Sequence, residues 1–125
     1  MNDEKDDLES RAEREPSVPS ALTLYFRDIA KFPILSREDE QKVAHEMAAG
    51  VAGARDRLIV SNLRLVAKIA REYVETGVPL IDLIQEGNIG LIEAVDRYEP
   101  ERGYRLSTYA AWWILSSTVR SATTT

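Results

Sequence analysis

An all-α bundle of four or five helices is the fold this sequence predicts, and three observations carry the prediction. No segment sustains the period-two alternation of a half-buried strand. Apolar residues instead recur at three- and four-residue spacing in several separate stretches, each long enough for a helix. Ser20, Ser36 and Ser107 stand at three expected helix starts, and Pro33, Gly50 and Gly77 at three stops, which is the punctuation of helices. With 125 residues, 44% of them hydrophobic, the chain can bury one real core, so one domain with tails is the expected organisation.

In chain order, residues 1–20, MNDEKDDLESRAEREPSVPS, are acidic, polar and closed by two prolines. Such a composition buries too little apolar surface to offset the entropy of ordering, and it predicts a disordered tail. The tail serves solubility in the plainer reading and imitates DNA as an autoinhibitor in the sharper one. Residues 21–50 form a two-helix segment. Its first helix spans Ala21 to Lys31 behind Ser20 as a candidate N-cap, with Leu22, Tyr25, Phe26 and Ile29 on one side and Pro33 beyond its end. The second runs from Arg37 to Ala49, opened by Ser36-Arg37-Glu38-Asp39, a capping box with aspartate in place of glutamate, and stopped by Gly50.

Residues 51–114 form the core domain. Ala54 to Glu75 reads as one central helix, since Leu58, Ile59, Leu63, Leu65, Val66, Ile69 and Tyr73 cover more than one face. Arg57, Arg64, Lys68 and Arg71 gather on its remaining side, by default a solvated face and alternatively a strip along a nucleic-acid backbone. Thr76-Gly77-Val78-Pro79 breaks the helix. From Leu80 the next helix turns Leu83, Ile84, Leu91, Ala94 and Val95 inward and Asp82, Gln85, Glu86, Asn88, Glu93 and Asp96 largely outward. Gly87 and Gly90 each cost about 1 kcal/mol against alanine inside a helix, and close approach of a neighbouring helix is the simplest compensation. A solvated helix face is the default reading of the polar edge.

Tyr98, Tyr104, Tyr109, Trp112 and Trp113 are five of the nine aromatics, packed into sixteen residues with Arg102 and Arg105 between them and Arg97 in front. A loop from about Glu99 to Leu106 precedes a helix that Ser107 is placed to cap, with Tyr109, Trp112 and Trp113 on one face. Exposed rings accept stacked bases at roughly 1–3 kcal/mol each while arginines hold phosphates. The alternative is that the rings are core, although adjacent tryptophans point about 100° apart on a helix and do not easily face one core together. Residues 115–125, LSSTVRSATTT opening on Leu115, are rich in residues of mediocre helix propensity.

Charge and composition narrow the function classes. The net charge is −5, but residues 1–16 hold seven acids and three bases, whereas residues 97–125 hold four arginines and two glutamates. The basic footprint is thus a small local patch, and affinity for phosphate by charge alone is weak. There is no cysteine, hence no disulfide framework and no thiolate metal site, as suits a reducing cytoplasm. No apolar run reaches transmembrane length, and the N-terminus has no signal-peptide character. A P-loop, metal-ligand spacing and a credible triad are all missing, the single histidine, His45, reads as a surface residue, and the chain is expected to be a non-enzyme without metal or cofactor.

DLIQEGNIGLIEAVDRYEPERGYRLSTYAAWWI resembles the second conserved region of primary-type sigma factors, the promoter-recognition subunits of bacterial RNA polymerase. LTLYFRDIAKFPILSREDEQKVAHEMAAG and RLIVSNLRLVAKIAREYVETGVP resemble what precedes that core in the same family, so the likeness covers about residues 21 to 114. The resemblance implies docking on the clamp helices of the polymerase's largest subunit through Asp82, Gln85, Glu86, Asn88 and Ile92. It also implies capture of the melted non-template strand of the promoter minus-ten element. Tyr98, Glu99, Arg102, Tyr104, Arg105, Thr108, Tyr109 and Trp112 match positions that stack on or pocket an unstacked adenine, with Trp113 beside them. Asn62, Leu65 and Ser107 match a second base pocket. The family often has Phe where this chain has Tyr98 and Leu106, and the leucine removes an expected ring. An anti-sigma factor is a further partner the family admits; a membrane is not. After Ile114 the resemblance fails, with Leu115, Ser116 and Val119 where duplex-reading residues would lie, which implies a truncated or divergent member. The rival reading is an interaction protein that keeps the polymerase-binding stripe, does not read promoters, and competes with complete sigma factors.

Overall fold

The computed structural model describes residues 20–123. It is all-α: α1 (Ala21–Ile29), α2 (Arg37–Ala48), α3 (Ala54–Val60), α4 (Leu63–Arg71), α5 (Leu80–Arg97) and α6 (Leu106–Thr123), with single 3-10 turns at Val74–Thr76 and Pro100–Arg102. The acidic tail expected over residues 1–20 lies, Ser20 apart, outside the described residues.

Local signals set the first two helices. The Ser20 hydroxyl accepts the Thr23 N–H at 3.1 Å, and the Ser36 hydroxyl accepts the Asp39 N–H at 3.1 Å, each satisfying one of the donors that a helix start leaves open. Gly50, at φ 79°, follows the end of α2 in the left-handed conformation that glycine adopts without strain. The helix expected from Ala54 to Glu75 is instead divided at Ser61–Asn62, so the described chain has five helices if α3 and α4 are taken as halves of one. The side chains there explain the break: Ser61 Oγ and Asn62 Nδ2 both donate to the Leu58 carbonyl, at 3.0 and 2.8 Å. Serine and asparagine compete in this way with the backbone's own ladder.

The core is built on α5, which packs most extensively against α6 and next against α4. Leu58, Val66, Leu83, Ile84, Leu91, Val95, Leu106 and Ile114 are fully buried, and each such side chain is worth about 1.5–3 kcal/mol relative to exposure. Both glycines of α5 are required by this packing. A Cβ on Gly90 would collide with the Trp113 carbonyl oxygen of α6, and one on Gly87 would stand 2.8 Å from Val66 Cγ1 and 3.3 Å from Thr118 Oγ1.

α6 continues through residues 115–123 and uses their small polar side chains at the crossing. Ser117 and Thr118 are buried, against Gly90 and Gly87 respectively. Weak helix formers are held there by tertiary contact, since larger side chains would push the helices apart.

Candidate nucleic-acid interface

The aromatic cluster rests on the loop between α5 and α6. Four of its five rings touch: Tyr98–Tyr104 centroids are 6.0 Å apart, Tyr98–Tyr109 6.3 Å, Tyr104–Tyr109 5.5 Å and Tyr109–Trp113 6.3 Å. Trp113 is half-buried, with the Arg97 guanidinium 5.1 Å from its ring centre. Trp112 stands apart at 72% exposure, so the expected single face of Tyr109, Trp112 and Trp113 is two surfaces: a packed pair, and one ring in solvent.

Asp96, Arg97, Tyr98, Glu99, Arg102, Tyr104 and Tyr109 line a cavity of about 480 Å³. Tyr98 is only 9% exposed and forms a wall. Its hydroxyl donates to the Tyr104 carbonyl at 2.6 Å and accepts from Gln41 Nε2 at 3.1 Å. Burial, reinforced by the nearby Glu40 carboxylate, pushes this phenol above its ordinary range.

The arginines among the rings are less free than their sequence suggests. Arg97 Nε donates to Glu93 at 3.1 Å, and Arg102 donates to Glu99, which raises the Arg102 pKa. Arg105 Nη2 donates to the Leu35 carbonyl at 3.1 Å, and its Nε lies 3.5 Å from Glu40 Oε2, an ion pair without a hydrogen bond at that nitrogen. The cluster therefore presents rings more than bare positive charge, although the exposed pairs at Arg97 and Arg102 are weakly held and exchangeable.

A second, larger groove of about 540 Å³ lies between α1 and α4, lined among others by Asn62, Leu65, Ser107, Phe26 and Ile34. The three residues of the second sequence-predicted pocket thus come together. Arg64 and Lys68 are exposed on its wall, and Arg71 lies 4.3 Å from the Phe26 ring centre. Arg57 leaves this strip and approaches Glu46 of α2 at 3.8 Å, a separation that follows from the break between α3 and α4. Thr108 is exposed, outside both lining sets.

Two local expectations need correction. Ser107 does not cap α6, because the helix already begins at Leu106; Glu40 takes the capping role from 66 residues away, its Oε2 accepting the Leu106 N–H at 3.0 Å. Leu106, counted as a lost ring at the interface, is itself fully buried in the core.

On α5, Asp82, Gln85 and Ile92 are exposed and Glu86 and Asn88 partly so. Asn88 Nδ2 reaches the Tyr25 hydroxyl at 3.5 Å and its Oδ1 is buried without a partner, which ties it to α1 more than to the open stripe. Ile89, 56% exposed, sits at the centre of the stripe and was missed. Its signal was an isoleucine four residues after Gln85 and three before Ile92, on the polar arc.

The Sigma-70 region 2 profile matches residues 58–123, just over half of the chain, and the profile of Sigma-70 factor, region 1.2 matches residues 20–52. The chain belongs to the sigma-70 family. Its α1 and α2 coincide with the first matched region, and the α5–α6 platform and both grooves draw mainly on the second. It is similar to the RNA polymerase sigma factor RpoS of Coxiella burnetii, 42% identical over 94% of this chain and 36% of that protein. It is also similar to the sigma factor SigA of Clostridium acetobutylicum, 40% identical over 94% of this chain and 31% of the relative. The SigA of a Bacillus species is 41% identical over 83% of this chain and 28% of the relative. The chain thus spans about a third of the length of these curated relatives. Among the described residues no helix is long and apolar enough to cross a membrane, and no acidic or histidine cluster could hold a metal.

Proposed function

We propose that this chain is the polymerase-docking and strand-capturing part of a transcription initiation factor. It binds core RNA polymerase through the outer stripe of α5, Asp82, Gln85, Glu86, Ile89 and Ile92, against the clamp helices of the largest subunit. It holds the melted non-template strand of the promoter minus-ten element across the loop and the start of α6. The observation that carries the reading is the pair of cavities flanking the first turns of α6: Ser107 lines one and Tyr109 the other. One is walled by tyrosines in tilted and edge-on contact and the other is mainly apolar with a cationic rim, so neighbouring unstacked bases each find a ring or an apolar wall, with phosphates near Arg64 and Lys68. Asn88 supports α5 from the side of Tyr25, and Arg105 supports the loop from behind.

The reading makes strand preference the test. The tryptophan fluorescence of Trp112 and Trp113 is expected to respond to the single-stranded non-template minus-ten sequence before its duplex or a scrambled strand, weakly for the free chain and more strongly when core polymerase is bound. Docking pre-orders the site and lowers the cost of association. If neither the free chain nor its polymerase complex distinguishes the strands, promoter reading is wrong and a polymerase-binding competitor of complete sigma factors takes its place.

A further inference from the structure

The charges around the tyrosine-walled cavity do not balance within the cavity itself. Its ionic lining side chains are the carboxylates of Asp96 and Glu99 and the guanidiniums of Arg97 and Arg102. Glu99 accepts from Arg102, and Arg97 turns to Glu93, which lies outside the lining. Asp96 is left as a carboxylate in the wall with no cation of α5 or of the loop paired to it. Its partner comes from another element. Arg55, in the first turn of α3, donates from Nε to Asp96 Oδ1 at 2.7 Å and from Nη2 to Oδ2 at 3.1 Å, so one guanidinium engages both carboxylate oxygens. Arg55 itself does not line the cavity. The hydrogen bonds from Arg55 hold the Asp96 carboxyl below its ordinary range, so its charge is not relieved by protonation near neutral pH.

We propose that Arg55 masks the Asp96 carboxylate and so lets a polyanionic strand approach the tyrosine cavity; this rests on the strand-capture reading above. Folding stability does not account for the pair. Its side chains are 47% and 45% exposed, and ion pairs so open to water add little to stability. The consequence of the pair lies in where it leaves charge. A base in the cavity brings its phosphate with it, and salt screens a bare carboxylate in the wall only beyond a Debye length, about 8 Å under physiological conditions. Arg97 and Arg102 are each engaged with a carboxylate of their own. Arg55 supplies the missing cation from the side of α3, outside the space a base would occupy. An arginine suits the task because its planar fork matches a carboxylate and keeps its charge at any working pH.

The test is a charge cycle in the full chain. Wild type, Arg55→Gln, Asp96→Asn and the double variant are each titrated with the single-stranded minus-ten sequence and a scrambled strand at low and high salt, and each is unfolded thermally. Arg55→Gln leaves Asp96 bare and is expected to weaken strand binding about three- to tenfold at low salt. Asp96→Asn leaves Arg55 unpaired beside the strand and is expected to tighten binding about threefold. The double variant removes both charges and returns to within about twofold of wild type, because the two effects oppose each other. All differences shrink toward nothing at about 1 M salt, and melting temperatures stay close to wild type, as for any exposed pair. The mask is overturned if Arg55→Gln binds like wild type, or if its loss persists at high salt. It is equally overturned if the double variant is as weak as Arg55→Gln, which marks a need for the geometry of the pair and not for its charge. Should Arg55→Gln not fold, Arg55→Lys and Asp96→Asn decide: the lysine keeps the charge and stays within about twofold of wild type, and a loss there, or an asparagine that fails to tighten binding, sinks the proposal. If wild type itself does not distinguish the minus-ten strand from the scrambled one, the strand reading fails and the mask falls with it, whereas failure in the variants alone leaves that reading standing.

Discussion

The outer stripe of α5 and the aromatic loop that follows it are adjacent in sequence and differ in how they are held. The stripe needs only its own helix: Asp82, Gln85, Ile89 and Ile92 share a side because of helical geometry, and the buried opposite side of α5 fixes which way they point. The loop has little regular structure of its own and is tied to three side chains and one backbone carbonyl 57 to 70 residues earlier in the chain. A surface for a large, rigid partner can be written locally. On the proposed reading, a surface for single unstacked bases depends on placement between rings, and the placement of these rings draws on a distant element.

The change expected to break both regions together is Gly90→Ala. The added methyl meets the Trp113 carbonyl, a backbone atom that cannot rotate away, so α5 and α6 must separate. Overpacking of a well-filled core costs typically 1–3 kcal/mol, and a loss of about 3 kcal/mol is expected here because the obstacle is main chain. Thermal unfolding measures it, and a melting temperature within a degree or two of wild type would mean that the crossing is looser than described. Gly87→Ala is the milder companion, since its nearest obstacle is a side-chain atom of Val66.

What could be read from the sequence divides along the same line as the two regions. Ser20, Ser36, Gly50 and the inward positions of α5 carry their instructions within one turn of where they act, and the close approach at Gly87 and Gly90 follows from the cost of two glycines in one helix. The pockets of Asn62, Leu65 and Ser107, and of Tyr98, Tyr104 and Tyr109, could be assembled only through the family resemblance, since nothing local joins residue 62 to residue 107. The helix break at Ser61–Asn62 is signalled by residue type, but the apolar run around it masks the signal. Glu40 carried no signal at all. A glutamate in the charged first turn of a helix reads as solvated, and only the fold reveals that it caps another helix.

A smaller effect sharpens the account of the loop. The folded-state pKa of Tyr98 lies above the ordinary 10.0, because burial and Glu40 disfavour the phenolate. The neutral phenol's contribution to stability is therefore whole below pH 10 and is lost as pH rises through the raised folded value. Tyr98→Phe is expected to cost about 1 kcal/mol at neutral pH, the worth of an ordinary hydrogen bond, and to flatten the fall of stability above pH 10. Denaturant unfolding of both proteins across that range checks it, and an identical alkaline slope in the two would remove Tyr98 from the account.

If two separately held surfaces lie end to end on α5 and the start of α6, one matched set of affinities separates them. Wild type, Gln85→Ala/Glu86→Ala and Tyr109→Ala are each titrated with core polymerase and with the single-stranded minus-ten sequence. A reciprocal pattern is expected. The stripe variant loses polymerase affinity, by roughly tenfold if the two contacts together are worth about 1.4 kcal/mol, and keeps its strand affinity. Tyr109→Ala loses most of its strand affinity, at about 1–3 kcal/mol for one stacking ring, and keeps its polymerase affinity. Parallel losses of both affinities in either variant, in protein that remains folded, would contradict it.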